Sequence, residues 1–356
     1  MSEPQLHEAG LRARIDAALR VFLSGATPPL TAIADDLAPF AAAIEAFVLD
    51  GGKRLRPAFC YWGWRAAGGA DGDEIVSAAA SLELLQACAL VHDDVIDASD
   101  TRRGAPSVHR RFARLHRDAG WSGDPDAFGR AAAILLGDLA LIWADAMLAE
   151  SGVGDAALRR AFGIWDEMRV EVMCGQYLDV VEQARGGGSV DRALRVARFK
   201  SASYTVARPL QLGAALAGGG DVIVASLGAY GLPLGEAFQL RDDLLGVYGD
   251  PATTGKPAGD DLREGKRTVL IALATQRADP TQQATIEKLL GDSTLDSSGV
   301  NVLRDVIAAT GAVAEVEQLI SDRVSAAQAA LSSPLLAADA VAALAGLADA
   351  AAHRTH

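Results

Sequence analysis

The sequence has few cysteines and no excess of basic residues, and each shortage excludes a class of protein. Only Cys60, Cys88 and Cys174 occur in 356 residues. They show neither the spacing of a metal site nor that of a disulfide framework, which is typical of a reduced, cytoplasmic protein. The formal net charge is −13, which argues against general affinity for nucleic acid or for an anionic membrane surface.

The sequence also lacks a recognisable signal peptide and a credible membrane span. Residues 1–5, Met-Ser-Glu-Pro-Gln, have no basic region followed by an apolar core. The most apolar long stretch, residues 131–148, is interrupted by Asp138 and Asp145. Because charged side chains are costly inside a bilayer, we expect no stable membrane insertion.

Aromatic residues make up only 5% of a chain that is 50% hydrophobic, so its core must be built from Ala, Leu, Val and Ile. Alanine is the best helix former, and no segment shows the alternation that is typical of a strand. Glycine-rich and proline-rich breaks separate the helical patterns. We predict one all-α domain over residues 1–356, with helices near 11–22, 31–49, 54–67, 73–99, 127–150, 155–184, 190–217, 221–247, 265–276, 282–290, 300–310 and 312–350.

Two acidic segments carry the strongest functional signal: Asp93-Asp94-Val95-Ile96-Asp97 and Asp242-Asp243-Leu244-Leu245-Gly246, each after an apolar helical run. Residues four apart share a helix face, so Asp93 and Asp97 point the same way and repel each other. Bound cations would offset that repulsion. One or two carboxylates plus substrate phosphates are how proteins usually hold Mg²⁺. The alternative is a solvated helix face, against which the apolar neighbours argue.

Basic residues cluster close to these acidic segments. In Gly51-Gly52-Lys53-Arg54-Leu55-Arg56-Pro57, two glycines precede a helix, whose amides and positive end attract anions. Arg102-Arg103-Gly104 follows the first acidic segment, whereas Lys256 and Lys266 follow the second. Arginine binds phosphate oxygens through paired hydrogen bonds. A surface basic cap is the alternative for the first cluster, but together the clusters predict a site for two polyphosphates.

These motifs resemble those of the trans-type polyprenyl diphosphate synthases, which condense isopentenyl diphosphate with an allylic diphosphate. The resemblance covers roughly residues 30–330 and implies the isoprenoid synthase fold, a single helical bundle around a deep central cavity that is normally a homodimer. Residues 1–29 would be an N-terminal helix and linker, and residues 331–356 a C-terminal helix and tail. Further matching motifs are Gly137-Asp138, Gly175-Gln176-x-x-Asp179, Lys200, Phe238-Gln239-Leu240-x-Asp242-Asp243, Gly255-Lys256 and Gly265-Lys266.

The resemblance implies a role for each matching residue. The isopentenyl diphosphate site would consist of Lys53, Arg56, Gln86 and Arg103. Three Mg²⁺ ions are expected with substrate bound, and their ligands would be Asp93, Asp97, Asp242 and Asp243. The catalytic set would comprise these four aspartates with Asp94 and Lys200. The allylic diphosphate would contact Arg102, Lys200, Ser201, Gln239, Lys256 and Lys266. Gln176 and Asp179 would lie near the reacting carbons.

Two positions depart from the usual pattern of the family. Ser201 follows Lys200 where the family often has Thr, and either hydroxyl can donate a hydrogen bond. The second acidic segment ends in Gly246 rather than Asp, which leaves one metal ligand fewer. Asp243 or water would have to complete that ligand set.

Product length is predicted from the residues before the first acidic segment. Cys88 and Ala89 are small where short-chain members of the family commonly place aromatic residues, so a product tunnel would stay open for about one further helical turn of ~5.4 Å. Leu84 and Leu85 come next and would form part of a floor. We predict geranylgeranyl diphosphate (C20), with longer chains as the alternative. Residues 90–112 and 121–125 look most like those of actinobacterial members that make C20.

Three other functions fit the sequence less well. A class I terpene cyclase shares metal-assisted ionisation but would not need Lys53 and Arg56 for a second diphosphate. A farnesyl diphosphate synthase is a less favoured member of the same family. A non-catalytic regulatory subunit would tend to lose an acidic segment, and both are present here. Among the histidines, we expect His92 to be structural, and His109 and His116 to be surface or loop residues.

Overall fold

The computed structural model of the protein describes residues 3–186, 188–249, 259–292 and 294–352. Helices dominate the described residues, which confirms the all-α prediction. The helices are α1 (Glu3–Ala26), α2 (Pro28–Ile33), α3 (Ala38–Leu49), α4 (Leu55–Ala66), α5 (Asp73–Ile96), α6 (Val108–Asp118), α7 (Pro125–Ala149), α8 (Asp155–Arg185), α9 (Val190–Val196), α10 (Arg208–Ala217), α11 (Asp221–Tyr248), α12 (Asp260–Arg263), α13 (Val269–Arg277), α14 (Pro280–Leu289), α15 (Ser297–Ala309), α16 (Ala312–Ala330) and α17 (Ala338–Ala352).

The described residues also include a 3₁₀ turn, a π-helix and a two-stranded hairpin. A 3₁₀ turn covers Asp35–Leu37, and a π-helix of 11 residues covers Ala197–Ala207 between α9 and α10. Strands β1 (Thr101–Arg102) and β2 (Ala105–Pro106) form an antiparallel hairpin, in which Arg102 lies opposite Ala105. π-helical segments often occur at functional sites.

Contacts within the chain divide it into two compact units. The first unit is Met1–Ala161 with Gly213–Gly218, and the second is Phe162–Leu212 with Gly219–His356. The single domain over residues 1–356 therefore stays a prediction. The first acidic segment belongs to the first unit and the second acidic segment to the second unit.

Helix α5 forms the centre of the first unit and packs against α1, α4 and α7. Its residues from Ile75 to Cys88 are almost all buried, as expected of a helix that is apolar on every side. Helix α1 buries Leu11, Ile15, Leu19 and Leu23, whose four-residue spacing places them on one face. The acidic end of α5 is thus an extension of a rigid core helix.

Helix α11 has the corresponding place in the second unit, where it packs against the π-helix, α16 and α17. Leu240, Leu244 and Val247 of α11 join a core cluster that includes Leu270 and Leu273 of α13. The second acidic segment lies among these buried residues. Its carboxylates are therefore held on a helix that is fixed by packing.

Several secondary-structure predictions were wrong. The single helix predicted over 31–49 is divided, because α2 ends at Ile33 and α3 begins at Ala38. Helix α6 was missed because its many basic residues mask the apolar positions Val108, Phe112 and Ala113, which are buried. A single helix over 312–350 was predicted, but α16 ends at Ala330 and α17 begins at Ala338. Pro334 lies in this break and cannot continue a helix, because it lacks the amide donor.

His109 and His116 were predicted to be surface or loop residues, and this was also wrong. Both lie on α6 and are buried, with 5% and 4% of their surface exposed. The His109 Nδ1 lies 3.1 Å from the Ser107 Oγ, and the His116 Nε2 lies 3.1 Å from the Ser122 carbonyl oxygen. The missed helix is the reason, since it turns one face of this segment toward the core.

Among the described residues, α5 and α7 are long and apolar enough to cross a membrane by length and composition alone. The most apolar window of α5 is 72% buried, and that of α7 is 44% buried. Core helices of soluble proteins share this composition. We therefore assign these helices by their packing within the first unit.

Candidate active site

The loop before α4 has an unusual backbone. Gly51 and Gly52 have φ values of 86° and 102°, and Arg54 has a φ of 53°. Glycine adopts such values without strain, whereas a non-glycine residue in the left-handed region costs roughly 1–2 kcal/mol. This loop presents Lys53 to solvent immediately before α4, and Arg56 lies in the first turn of the helix. The helix start that the sequence predicted is therefore present, and its binding of an anion stays a prediction.

The hairpin of β1 and β2 places two adjacent arginines at two different parts of the first unit. Its turn residues Arg103 and Gly104 have φ values of 54° and 76°, which suit the two central positions of a tight hairpin turn. The Arg103 Nη1 donates to the Asp50 carbonyl oxygen at 2.8 Å, and its guanidinium lies 5.8 Å from the centre of the Phe47 ring. Arg103 is thereby held beside the Gly51–Arg54 loop.

Arg102 binds the first acidic segment instead. Its Nε and Nη2 donate to the Asp94 Oδ1 at 2.8 and 2.5 Å, and Nη2 also donates to the Asp93 Oδ2 at 3.1 Å. Burial opposes the charge of Arg102, but the hydrogen bonds and charges of Asp94 and Asp93 outweigh it and raise the Arg102 pKa. Asp94 is only 1% exposed. Arg102 therefore compensates a buried carboxylate.

The end of α5 orients the remaining members of the first acidic segment. The Asp97 amide donates to the Asp93 carbonyl oxygen at 2.8 Å, so the helical path continues to Asp97 and sets it one turn beyond Asp93. Both residues are half-buried. The predicted shared face of Asp93 and Asp97 is consistent with this geometry.

The residues predicted to set product length line α5 before the acidic segment. Leu84, Leu85 and Cys88 are buried, and Ala89 is half-buried. The Cys88 Sγ lies 3.7 Å from the His92 Nδ1, and the His92 Nε2 lies 3.0 Å from the Ile134 carbonyl oxygen. Burial, with the charge of Asp138, raises the pKa of the Cys88 thiol to about 12. Cys88 is thus a small neutral side chain, and His92 has structural contacts as predicted.

In the second unit, the π-helix and α8 bring Lys200 and Asp179 together. The Lys200 Nζ donates to the Asp179 Oδ2 at 2.6 Å. Gly175 permits this approach, because a Cβ at that position would overlap the Lys200 backbone nitrogen. On the opposite side, a Cβ on Gly235 of α11 would lie 2.5 Å from the Ala202 carbonyl oxygen. The π-helix is therefore enclosed by two close backbone contacts at glycines, with Ser201 half-buried within it.

The second acidic segment lies at the end of α11. The Gln239 Nε2 donates to the Asp243 Oδ1 at 2.7 Å, and Asp242 is exposed. Burial raises the pKa of Asp243 to about 7, and the charges of Asp261 and Asp242 add to this effect. Gln239 and Asp243 therefore contact each other, and the carboxylates of this segment repel rather than neutralise one another.

The position of Gly246 has an unexpected neighbour. A Cβ at residue 246 would overlap the Asp261 carboxylate, so this carboxylate fills the space next to the glycine. The Lys266 Nζ lies 3.4 Å from the Asp261 Oδ1 and 2.7 Å from the Glu264 Oε2. Asp261 thus supplies a carboxylate where the second acidic segment lacks its final aspartate.

The donor set of both segments fits a hard divalent ion. Within the described ranges, no three His, Cys, Asp or Glu side chains are already arranged to hold a metal. Mg²⁺ needs no such cage, because it is usually bound through one or two carboxylates with water and substrate phosphates completing its octahedron. Asp93 and Asp97 supply carboxylate oxygens one helical turn apart, and Asp243 lies among the charges of Asp242 and Asp261. All of these donors are oxygen.

The structure groups the predicted residues within each unit. The first unit holds Lys53, Arg56, Gln86, Arg102, Arg103 and the first acidic segment; the second holds Gln176, Asp179, Lys200, Ser201, Gln239, Lys266 and the second acidic segment. Lys256 and its neighbour Gly255 lie outside the described residues. Sequence reasoning missed the contacts of Arg54, Glu83 and Asp261. Only Asp261 had a local signal, since it precedes Lys266 in an acidic stretch.

Comparisons with known proteins support the family that these motifs indicate. Residues 38–307 match the family model described as polyprenyl synthetase. The chain is 33% identical over 294 residues to a geranylgeranyl diphosphate synthase of Mycobacterium tuberculosis, which covers 82% of this chain and 78% of that protein. It is 35% identical over 232 residues to a geranylfarnesyl diphosphate synthase of Aeropyrum pernix, which covers 64% and 68%.

A solved structure agrees over nearly the whole chain. It is the geranylgeranyl pyrophosphate synthase of Corynebacterium glutamicum complexed with isoprenyl diphosphate and magnesium, with a TM-score of 0.93, 45% identity and coverage of 97% of this chain and 98% of that chain. Family, fold and arrangement of motifs lead to the same assignment. This all-α chain belongs to the polyprenyl synthetase family and is a prenyltransferase.

Proposed function

We propose that the protein condenses isopentenyl diphosphate with an allylic diphosphate, releases diphosphate, and makes geranylgeranyl diphosphate (C20) as its main product. The observation that carries this proposal is the hairpin, whose two arginines lie at two different places in the first unit, as expected of an enzyme with two diphosphate substrates. Arg102 compensates the first acidic segment, and Arg103 lies beside the loop that carries Lys53. An enzyme with one diphosphate substrate has no use for the second of these sites.

Ionisation of the allylic substrate is the first chemical step. The bond between allylic C1 and oxygen breaks, and its electron pair leaves with the diphosphate. Arg102, Lys200 and Lys266 contribute positive charge at the leaving group, where preorganised charges stabilise the transition state. Asp93, Asp97, Asp242 and Asp243 would hold the Mg²⁺ ions, proposed as three, and these ions would supply further positive charge to the diphosphate. Asp94 positions Arg102, and Gln239 positions Asp243 through their hydrogen bonds.

Bond formation follows at the isopentenyl site. Lys53, Arg56, Gln86 and Arg103 orient isopentenyl diphosphate so that its double bond attacks allylic C1, which leaves a tertiary cation. Correct positioning of two reactants lowers the barrier substantially. Gln176 and Asp179 lie near the reacting carbons in this proposal. A proton then leaves C2 of the isopentenyl unit for the released diphosphate, and the new trans double bond forms.

The assay follows from the chemistry. Purified protein is incubated with Mg²⁺, isopentenyl diphosphate and dimethylallyl, geranyl or farnesyl diphosphate in turn, and products are sized after dephosphorylation. We expect C20 as the main product and no product in the presence of a metal chelator. Consumption of the allylic substrate without isopentenyl incorporation would indicate a cyclase instead. Absence of any turnover would contradict the proposed function.

Product length is tested at Cys88, the small buried residue five positions before Asp93. The variant Cys88→Phe adds a ring within the apolar part of α5, so we expect products shorter than C20 with little change in isopentenyl diphosphate KM. The control is Cys60→Ser, because Cys60 is also buried but lies on α4. An unchanged product distribution in Cys88→Phe would refute the chain-length assignment. A C25 product in the unmodified protein would favour the longer-chain alternative.

We also propose that the protein acts as a cytoplasmic homodimer. Helix α8 exposes Phe162, Val170, Met173, Tyr177 and Val180, whose spacing forms one apolar stripe like the seam of paired helices. Sedimentation equilibrium should give twice the chain mass, and Val170→Asp should shift the protein toward monomer. Val222→Asp is the control, since Val222 is equally exposed but lies on α11. A monomeric unmodified protein would contradict this proposal.

A further inference from the structure

A buried ion-pair network stands behind the Gly51–Arg54 loop. The Arg54 side chain is 3% exposed and donates from three nitrogens. Its Nη1 binds the Glu83 Oε2 at 2.6 Å, its Nε binds the Asp16 Oδ1 at 2.8 Å, and its Nη2 binds the Val48 carbonyl oxygen at 2.9 Å. The guanidinium is thus attached to α1, to α5 and to the end of α3. Neither Arg54 nor its partners have a role in the chemistry described above.

The network helps to fix an unusual backbone conformation at Arg54. Arg54 is a non-glycine residue with φ of 53°, and such a conformation persists only where surrounding contacts enforce it. Arg54 lies between Lys53 and Arg56, so its conformation sets the direction in which both side chains leave the chain. A Cβ on Gly52 would lie 3.3 Å from the Arg54 Nη1 and 3.6 Å from the Arg103 Nη2. Arg54 therefore also lies close to Arg103.

The acidic partners of Arg54 connect this loop to two helices. Glu83 is 6% exposed and lies on α5, three residues before Gln86. Asp16 lies on α1 next to Ile15, which is fully buried. Helix α1 ends at Ala26, before the residues 38–307 that match the family. A segment outside the matched region thus holds one of the carboxylates that orient the loop.

We propose that Arg54 is a positioning residue for the isopentenyl diphosphate site and that α1 is part of that site through Asp16. This inference rests on the proposed function. Glu83 and Asp16 hold the Arg54 guanidinium, Arg54 holds the left-handed turn, and the turn directs Lys53 and Arg56 toward the diphosphate. Loss of Asp16 leaves the fold of α1 in place, because Leu11, Ile15, Leu19 and Leu23 still pack. Loss of Asp16 does, however, remove one of the contacts that hold the left-handed turn at Arg54.

The decisive variant is Asp16→Asn, because Asp16 is the partly exposed member and its loss does not strand an acidic group in the core. Asparagine can still accept from the Arg54 Nε but carries no charge, so the weakened contact should raise the KM for isopentenyl diphosphate by about three- to tenfold. The KM for the allylic substrate should stay within about twofold, because that substrate does not contact the loop. Calorimetric binding of isopentenyl diphosphate alone should weaken by the same factor as its KM rises.

The matched control is Asp71→Asn. Asp71 accepts from the Arg14 Nη1 at 2.8 Å in a more exposed contact that also holds α1. If Asp16 matters only because it helps dock α1, both variants should lower the melting temperature and affect both KM values alike, and the proposal falls. If it positions the loop, only Asp16→Asn changes the isopentenyl KM.

A double-mutant cycle tests whether Asp16 acts through Arg54. Arg54→Lys keeps the charge but cannot bind three partners in fixed directions. In the Arg54→Lys background, Asp16→Asn should produce no further rise in the isopentenyl KM, since interacting residues show non-additive effects. Additive effects would overturn the inference. An unmodified protein that does not use isopentenyl diphosphate would refute the proposed function itself, whereas an active one with unchanged Asp16→Asn kinetics would refute only this inference.

Discussion

The two acidic segments have similar sequences but opposite electrostatic surroundings. At the first, Arg102 makes three hydrogen bonds to Asp93 and Asp94, so the buried carboxylate of Asp94 is compensated. At the second, Asp243 is held by an uncharged amide and lies near two further carboxylates, and its pKa rises to about 7. In the first segment an arginine compensates the buried carboxylate, whereas in the second segment the neighbouring carboxylates repel one another.

The two acidic segments are also positioned by different kinds of contact. Directional hydrogen bonds from arginine set the geometry in the first unit. Close contacts at three glycines set it in the second: Gly175 and Gly235 meet backbone atoms, and Gly246 meets the Asp261 side chain. The first arrangement should therefore be sensitive to changes of charge, and the second to added volume or to pH. The following predictions test this contrast, beginning with the largest expected effect.

Arg102→Met should cause the greatest loss. It leaves the Asp94 carboxylate buried without its cation, which typically costs about 3–5 kcal/mol of stability. In the proposed mechanism, it also removes a positive charge that stabilises the departing diphosphate, so we expect kcat to fall about 10²–10³-fold. Thermal denaturation and steady-state kinetics measure the two effects. Arg110→Met is the control, because the Arg110 ion pairs are exposed and should contribute less than about 1 kcal/mol. Similar losses in both variants would remove the contrast.

Gly175→Ala tests positioning by close approach in the second unit. The added methyl must displace the Lys200 backbone, and overpacking of this kind costs roughly 1–3 kcal/mol. We expect kcat to fall about 10–10²-fold, since a shift of about 1 Å at a catalytic group has effects of this order.

Gly163→Ala on the same helix is the matched control. Nothing lies within 4 Å of a Cβ at that position, so the substitution should leave activity unchanged and stabilise α8 by up to about 1 kcal/mol. If both variants had equal activity, the close approach at Gly175 would not position Lys200.

Asp243→Asn should alter the pH dependence of stability in metal-free protein. The pKa of Asp243 rises from 3.8 to about 7 on folding, so between these values the folded state binds more protons than the unfolded state. The free energy of unfolding therefore falls as pH rises through this range, by up to about 1.4 kcal/mol per pH unit from this group. Asparagine cannot ionise, so the variant should be more stable than the unmodified protein at pH 8 and similar to it near pH 4.

Denaturant titrations at several pH values in the presence of a chelator measure this difference. Asp242→Asn is the comparison, because it removes a charge that adds to the raised pKa of Asp243 but leaves the burial that is its largest cause. It should therefore weaken the pH dependence only slightly. If the free energy of unfolding depended on pH in the same way in Asp243→Asn and in the unmodified protein, the pKa of Asp243 would not be raised on folding.

Gly246→Ala should have the smallest effect. Its methyl group would push the Asp261 carboxylate away, and we expect the Mg²⁺ concentration for half-maximal activity to rise about tenfold, the lower end of the effect of losing a residue that supports a metal ligand. Asp261→Asn should have a similar effect. On α11, Gly228→Ala meets only the end of the Gln211 side chain and serves as the control. Equal Mg²⁺ dependence in all variants would exclude Asp261 from the ion site.

Local patterns were sufficient to predict much of this molecule. The periodicity of apolar residues predicted the buried helix α5, and the four-residue spacing predicted the shared direction of Asp93 and Asp97. These features depend on neighbours in the sequence. The motif resemblance predicted the family and the all-α class, both of which are confirmed. The individual site roles stay predictions.

Features that depend on distant partners could not be predicted in this way. Arg54 binds Asp16, which is 38 residues away, and no local pattern marks either side chain as buried. Asp261 fills the space beside Gly246 only because α12 packs near α11. Helix α6 was missed because its basic residues outweigh its apolar ones in any averaged window, although its buried face is clear in the structure.

The hairpin at Arg102 and Arg103 has an evolutionary consequence. Successive strand residues point to opposite sides, so inserting or deleting one residue in a ribbon reverses every side chain beyond it. One residue inserted or deleted just before Arg102 would therefore turn both guanidinium groups away from their present partners, the Asp94 carboxylate and the Asp50 carbonyl oxygen. Related proteins should therefore vary in composition around this turn far more readily than in its length.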